Sequence, residues 1–158
     1  MPSPSKTQDA SPRSFFQILK LHQLVYATLE KALLAHDLSP PQYTTLSLIR
    51  RHEPITPAEL SRKLGITAQS ALQAVKILEE RSLISRAAIP NNKRSISLYL
   101  TNEGRLALKK ADRLVLASET AFFSRLKPKD FTHLQDSIRL LRSDPALSRL
   151  NDGASSST

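Results

Sequence analysis

The sequence contains no cysteine and only 3 glycines among 158 residues. The absence of cysteine excludes disulfide bonds, cysteine-ligated zinc and thiol-based redox sensing. So few glycines are a poor supply for the turns of an all-β fold or for a loop that cradles phosphate. We therefore expect a fold built mainly of helices.

Long apolar runs are also absent, since none approaches the roughly 18 residues that a membrane-spanning helix requires. Residues 1–14 are polar and rich in proline and serine, which is not the pattern of a secretory signal. With 40% apolar and 23% charged residues, the chain can bury a core as one ordinary domain. These features predict a soluble cytoplasmic protein with no membrane partner.

Positive charge dominates the sequence, because 23 lysines and arginines stand against 14 aspartates and glutamates for a net charge of +9. A balance this basic favours a polyanionic partner, and nucleic acid comes before membrane. The excess is densest at residues 50–105, which carry 10 basic and 5 acidic side chains.

Apolar residues recur every three or four positions over residues 15–35, which predicts a long amphipathic helix. Ser39 and Pro40 predict the start of a second helix that ends before Pro54, since serine caps a helix and proline suits its first turn. The same reasoning predicts two further long helices, at residues 102–126 and 129–142.

Residues 56–81 predict two helices joined by a tight turn. Thr56 and Glu59 have the spacing of a capping box, which opens a short helix. Gly65 can adopt the left-handed conformation that closes this helix, and Thr67 can cap the next one. A short helix, a glycine turn and a second helix form a helix-turn-helix.

A strand pattern follows, in which Ile96, Leu98 and Leu100 alternate with polar residues or tyrosine, the two-residue repeat of a half-buried strand with these three residues on its buried face. Residues 83–89 are a plausible partner strand, and the turn-rich residues 90–93 lie between the two. This predicts a β-hairpin with a basic tip. The predicted fold class is therefore mainly α with a small β-hairpin wing (α+β), a winged helix-turn-helix.

The second helix of this motif has an apolar stripe formed by Ala71, Val75 and Leu78, which we predict to face inward. The major groove of B-DNA is about 12 Å wide and admits one helix, whose polar side chains then meet base edges. In an isolated helix the polar face would be interpreted as solvated surface, but the glycine turn and the basic wing favour DNA. The predicted contacts are Thr67, Gln69, Ser70, Gln73 and Lys76 on the helix, with Lys93 and Arg94 on the wing.

Four segments, in this order and spacing, resemble the MarR family of bacterial transcriptional regulators: residues 38–43, 56–60, 77–84 and 89–104. The resemblance spans about residues 15–141. It implies a dimeric, sequence-specific DNA-binding regulator, by default a repressor. N- and C-terminal helices would intertwine in a homodimer, and each subunit would bind half of a palindromic operator on double-stranded DNA.

The predicted organisation follows from this resemblance together with the composition of the two ends. Residues 1–14 form a flexible arm and residues 144–158 a flexible tail, residues 15–38 and 102–143 form the dimerisation region, and residues 39–101 form the winged helix-turn-helix.

Two positions depart from the family pattern. Asn92 stands where the family's wing usually has an aspartate that orients an arginine, and Ser82 stands where a glycine often follows the recognition helix. Asparagine still accepts a hydrogen bond, so Asn92 joins the predicted DNA contacts with a weaker pairing to Arg94.

Family members often lose DNA affinity when a small phenolic or aromatic carboxylate binds between the dimer helices and the winged module. By that resemblance, the candidate ligand residues are Arg13, His22, Tyr26, Tyr43 and Arg86, because a cation beside an aromatic ring suits such an anion. The alternative is that His22 is an ordinary packed or surface residue and that Arg86 contacts phosphate.

An enzyme is not expected. The four histidines show no metalloprotease-type spacing, and no local serine–histidine–aspartate motif occurs, so no catalytic residue, cofactor or metal site is predicted. The serious alternative is a winged-helix module that packages DNA, or contacts protein, without a small-molecule effector.

Overall fold

The computed structural model describes residues 13–89 and 92–145, and these contain six α-helices, one 3₁₀ turn and a two-stranded hairpin. In chain order they are α1 (Arg13–Leu33), the 3₁₀ turn (Leu34–His36), α2 (Pro40–His52), α3 (Pro57–Leu64), α4 (Ala68–Glu80), β1 (Ile84–Ile89), β2 (Asn92–Leu100), α5 (Asn102–Phe123) and α6 (Pro128–Ser143). The predicted fold class, a mainly α winged helix-turn-helix, is confirmed. None of the helices in this described part is long and apolar enough to cross a bilayer.

Side-chain caps fix the starts of α2 and α3 where the sequence places them. Thr56 Oγ1 accepts from the Glu59 amide at 3.2 Å, and Glu59 Oε2 accepts from the Thr56 amide at 2.9 Å. Ser39 and Gln42 make the same reciprocal pair at the start of α2. Gly65 closes α3 with φ of 64°. Each cap stabilises its helix by about 1 kcal/mol.

Buried aliphatic side chains from α2, α3, α4 and the hairpin form the core of the winged module. The predicted inward stripe on α4 is confirmed, since Ala71, Val75 and Leu78 are fully buried. Val75 and Leu78 share this core with Leu46, Ile49, Leu60 and Leu98. Burying a side chain of valine or leucine size contributes about 1.5–3 kcal/mol, so this stripe firmly fixes which face of α4 points outward.

The hairpin pairs β1 with β2 in antiparallel register, with Ile84 opposite Leu100. Ile55 adds a third, one-residue strand by exchanging two backbone hydrogen bonds with Leu98. The expected burial of Ile96 is wrong, because Ile96 is 41% exposed and Ser97 only 2% exposed. Ala88, which pairs with Ile96, is also exposed, so the hairpin leaves the core at this point.

A close backbone contact joins the base of the wing to the start of α5. The Leu83 carbonyl oxygen accepts from the Thr101 amide at 3.2 Å, and Thr101 Oγ1 donates to the Ser82 carbonyl at 2.7 Å. A Cβ on Gly104 would overlap that Leu83 oxygen. The first turn of α5 therefore fits against the wing only with glycine at this position.

The long helices differ slightly from their predicted limits. α1 begins at Arg13, two residues inside the predicted arm, and α5 ends at Phe123, three residues before the predicted Leu126. The predictions for residues 1–12, the wing tip 90–91 and residues 146–158 lie outside the described residues.

Candidate nucleic-acid interface

The outward face of α4 carries the polar side chains that the sequence predicts. Gln69, Ser70, Gln73 and Lys76 are all exposed, and three of them follow one another at spacings of four and three residues. Residues so spaced lie on one side of a helix. The buried stripe behind them keeps this side turned away from the core.

The N-terminal turn of α4 is ordered by its own cap. Thr67 Oγ1 accepts from the Ser70 amide at 3.1 Å and donates to Ser70 Oγ at 2.8 Å. The Ser70 hydroxyl thus has a fixed position with its own proton still available to an acceptor. In a helix that reads DNA, the residues of the first turns contact base edges. The cap therefore holds the Ser70 hydroxyl in the part of α4 that could make such contacts.

Lys76 is only weakly held by protein groups. Its ammonium lies 3.8 Å from the Glu80 carboxylate, and both side chains are largely exposed. An exposed pair of this kind contributes little to stability. Lys76 can therefore exchange this partner for a phosphate without a large cost.

Sequence reasoning missed Leu72, an exposed apolar side chain on the same face. Leu72 is 47% exposed and lies between Gln69 and Gln73 in the chain. Apolar side chains on a recognition helix can contact the methyl group of thymine. The sequence already indicated that Leu72 is exposed, because it lies outside the apolar stripe of α4.

Arg86 links the wing to α4. Its Nε lies 2.6 Å from one Glu79 oxygen and its Nη2 lies 2.6 Å from the other. The guanidinium on β1 therefore makes two contacts with the carboxylate of Glu79 near the end of α4. The hydrogen bond to Glu79 raises the pKa of Arg86. Bidentate pairs of this kind are directional and hold two elements at a defined angle.

Glu53 provides a second link, which sequence reasoning also missed. Its Oε2 accepts from the Leu100 amide at 2.9 Å, and its Oε1 accepts from Arg105 Nη2 at 2.5 Å. The end of α2, the end of the wing and the start of α5 are joined in this way. No local sequence pattern indicates this link, because Leu100 and Arg105 lie 47 and 52 residues from Glu53 in the chain.

The predicted wing contacts lie at the start of β2. Asn92 pairs with Ile89 in the hairpin register, at the point where the register shifts. Lys93 and Arg94 follow it in the same strand. The side chains of these three residues lie outside what the structure describes, so their contacts with DNA stay predictions.

An apolar cavity of about 210 Å³ opens between α1, α2 and α5. For comparison, a cavity of about 150 Å³ in an unrelated protein holds benzene. The cavity is therefore large enough for one or two fused rings. Its lining consists of Val25, Thr28, Leu29, Tyr43, Val115, Ser118, Glu119, Phe122 and Phe123.

Tyr43 is the one predicted ligand residue that lines this cavity. Its hydroxyl donates to Asp112 Oδ1 at 2.9 Å, and Asp112 Oδ2 accepts from Arg50 Nη1 at 2.6 Å. Burial and then the Asp112 carboxylate raise the pKa of Tyr43 to about 12. The phenol is therefore protonated at neutral pH, with its proton directed at Asp112.

The other four predicted ligand residues lie elsewhere. His22 and Tyr26 are exposed on α1, with ring centroids 6.1 Å apart, and neither lines the cavity. Arg13 is the first residue of α1, and Arg86 is bound to Glu79 at the wing. Within one chain, the structure does not bring either arginine to the aromatic cavity.

Large apolar side chains remain exposed along the three long helices. α6 buries none of its residues and touches α5 through Phe131, whose ring centroid lies 4.9 Å from that of Phe123. The exposed residues on these helices include Phe15, Phe16, Ile18, Leu19, Leu24, Leu106, Leu116, Leu140 and Leu141. A surface so rich in apolar groups is typical of an interaction site.

No metal centre is visible in the part of the chain that the structure describes. Over residues 13–89 and 92–145, no three histidine, aspartate or glutamate side chains converge as metal ligands would.

Comparison with known proteins agrees with this geometry. A family model described as the MarR family matches residues 36–95. An HTH-type transcriptional repressor from Mycobacterium tuberculosis is 26% identical over 113 residues, which cover 72% of this chain and 81% of that protein.

Two solved structures show the same fold. A mutant MarR from Escherichia coli complexed with operator DNA aligns with a TM-score of 0.77 at 21% identity, over 85% of this chain and 97% of that one. CouR from Rhodococcus jostii bound to p-coumaroyl-CoA aligns with a TM-score of 0.75 at 23% identity, over 84% of this chain and 94% of that one.

Proposed function

We propose that this chain is a transcriptional regulator of the MarR family that binds a palindromic DNA site as a homodimer and represses transcription. The observation that carries the proposal is the exposed polar face of α4, held outward by a buried stripe on the same helix. Regulators of this family are DNA-binding proteins and not enzymes, so we assign no catalytic residue.

The proposed contacts are those of the α4 face and the wing. Gln69, Ser70 and Gln73 would meet base edges, while Lys76 and the basic wing residues would meet phosphate or the minor groove. The two anchors, Glu79–Arg86 and Glu53–Arg105, would fix the angle between helix and wing.

The homodimer is supported by the exposed apolar side chains of α1, α5 and α6. A second copy of the same helices would cover them, and self-complementary surfaces close naturally with two-fold symmetry. Residues 15–38 and 102–143 would then form the dimerisation region, and residues 39–101 of each copy would bind one half-site. Repression is supported by the relative from Mycobacterium tuberculosis, which is a transcriptional repressor.

Selection of bound sequences from random DNA tests this proposal. We expect an inverted repeat whose half-sites are about one helical turn, roughly 34 Å, apart. Affinity should fall steeply as salt rises, because phosphate contacts release counterions. Binding without sequence preference would indicate a DNA-packaging protein, and no binding would indicate a protein-contact module; either result would overturn the proposal.

We also propose that a small aromatic ligand in the α1–α2–α5 cavity lowers DNA affinity. The cavity is apolar and one of its walls is α5, the helix whose first turn contacts the wing. The fold shared with CouR, a protein that binds p-coumaroyl-CoA, supports such a site. The sequence-based expectation of a carboxylate ligand rested on Arg13 and Arg86 as its cationic partners. Both arginines lie away from the cavity, so the charge of the ligand has to be argued from the cavity lining itself.

A further inference from the structure

We propose that the α1–α2–α5 cavity binds an arylalkylamine, an aromatic ring that carries an alkylammonium group charged at neutral pH, and discriminates against aromatic carboxylates. This inference rests on the proposed control of DNA binding by a ligand, and it names the charge class of that ligand. Three features of the lining carry it: the charge, the hydrogen-bonding capacity and the aromatic faces.

Glu119 gives the cavity its charge. It is the one charged side chain among the lining residues, and it makes no ion pair within the described part of the chain. No lysine, arginine or histidine of that part lines the cavity. A bound carboxylate would lose water beside Glu119 with no cation to compensate, whereas an ammonium group would gain a charge-assisted hydrogen bond.

The hydroxyl groups of the lining are mostly unable to donate. The Tyr43 hydroxyl already donates to Asp112, and Thr28 Oγ1 donates to the Leu24 carbonyl at 2.8 Å. A hydroxyl has one proton, so both oxygens can only accept from a ligand. Together with Glu119 they make the lining rich in acceptors, and Ser118 is the remaining hydroxyl that can donate. An amine donates, while a carboxylate requires donors.

Aromatic rings complete the lining. Tyr43, Phe122 and Phe123 contribute to the cavity wall, and the two phenylalanine rings meet edge to face with centroids 5.0 Å apart. The face of an aromatic ring attracts a cation and repels an anion. The rings would therefore hold the aromatic part of the ligand and add to its preference for positive charge.

Three probes with the same ring system test the charge preference: naphthylmethylamine, naphthalenemethanol and naphthoate. Each is titrated calorimetrically into the full chain near pH 7 in the absence of DNA. We expect the amine to bind about tenfold more tightly than the carboxylate, because the ammonium group gains an ion pair with Glu119 while the carboxylate meets a like charge. The alcohol should lie between the two.

Two variants assign the preference to the cavity. Glu119→Gln keeps an acceptor but removes the charge, so the amine and the carboxylate should then differ by less than about threefold. Glu30→Gln makes the same change on α1 outside this lining and should keep the wild-type preference. Ser118→Phe should fill the cavity and remove binding of the amine and the alcohol.

The inference is overturned if the carboxylate binds as tightly as the amine, if Glu119→Gln leaves the preference unchanged, if Ser118→Phe leaves binding unchanged, or if no probe binds. Because the titrations contain no DNA, they are independent of the selection experiment. If the chain prefers the amine but binds no DNA, the inference about the cavity stands and the proposed function is rejected.

Discussion

Ser82 is held in a conformation that suits glycine, with φ of 57° at the exit of α4. Left-handed backbone costs a non-glycine residue roughly 1–2 kcal/mol, and a new glycine loses up to about 1 kcal/mol through unfolded-chain entropy. We therefore expect Ser82→Gly to raise the free energy of unfolding by about 0.5–1 kcal/mol in urea titrations. Ser85→Gly in β1 is the matched control and should lower it. A loss of stability in Ser82→Gly would contradict this account.

Gln69 and Gln73 are two of the three α4 residues that we propose to contact base edges. Replacing either by alanine should cost about 1–3 kcal/mol at the selected DNA site and relax preference at one base pair in each half-site. Binding to the selected site and to its single-base variants measures both effects. Gln23→Ala, an exposed change on α1, serves as the control. Unchanged affinity and unchanged preference in both α4 variants would mean that the recognition face is misplaced.

These single-residue assignments could be made from the sequence only where the signal is local. Caps, the glycine turn and the α4 stripe depend on residues three or four positions apart, so Thr56, Gly65 and Val75 were placed correctly. The role of Arg86 was not foreseen, because its partner Glu79 lies on another element. The cavity lining combines three helices, so Tyr43 was the sole lining residue among the predicted ligand contacts.

At the scale of elements, the angle between α4 and the wing depends on the Glu79–Arg86 pair. Glu79→Ala should lower the free energy of unfolding by about 1 kcal/mol and also weaken DNA binding, although Glu79 is not a proposed DNA contact. Thermal unfolding and a DNA titration give the two measurements. The control is Glu80→Ala, which removes the exposed partner of Lys76 and should change stability by less than about 0.5 kcal/mol. Equal stability losses in the two variants would argue against a special role for the pair.

The two capping boxes should respond differently to acid. In α3 the Thr56 backbone and side chain lower the pKa of Glu59, whereas the α2 box uses Gln42, which does not titrate. A lowered folded pKa means that the contribution of Glu59 is present above its unfolded pKa of about 4.3 and is lost as pH falls through the folded value. The stability advantage of the wild type over Glu59→Gln should therefore shrink below about pH 4.3. Urea titrations between neutral and acidic pH measure it, and an advantage independent of pH would contradict the expectation.

The elements themselves were largely predictable, and the exceptions have physical causes. The starts of α2, α3, α4 and α5 carry side-chain caps, so they were located to within a residue or two. Ile96 was predicted to be buried but is exposed. An alternating pattern indicates a buried face only where the strand packs against the core. The end of α5 was placed three residues late because the sequence around Ser124 carries no glycine stop.

For the whole molecule, the exposed apolar helices predict a dimer in solution. Leu116 is 64% exposed on α5, and Leu116→Glu should shift the protein toward monomer because a charge at an apolar interface is costly. Sedimentation equilibrium measures the mass. Leu72→Glu adds the same charge at an exposed leucine of α4 and should leave the dimer intact. A wild-type monomer, or an unaffected Leu116→Glu dimer, would rule out this arrangement of subunits.

The tight fit of Gly104 against Leu83 has a mechanical consequence. Glu119 lies 15 residues further along the same helix, a distance of roughly 22 Å at 1.5 Å per residue. Because the near end of α5 fits tightly against the wing, we expect a small tilt of this helix, caused by an occupant at its far half, to rotate the hairpin with it. The distance between the two hairpins of a pair would then change without any local unfolding.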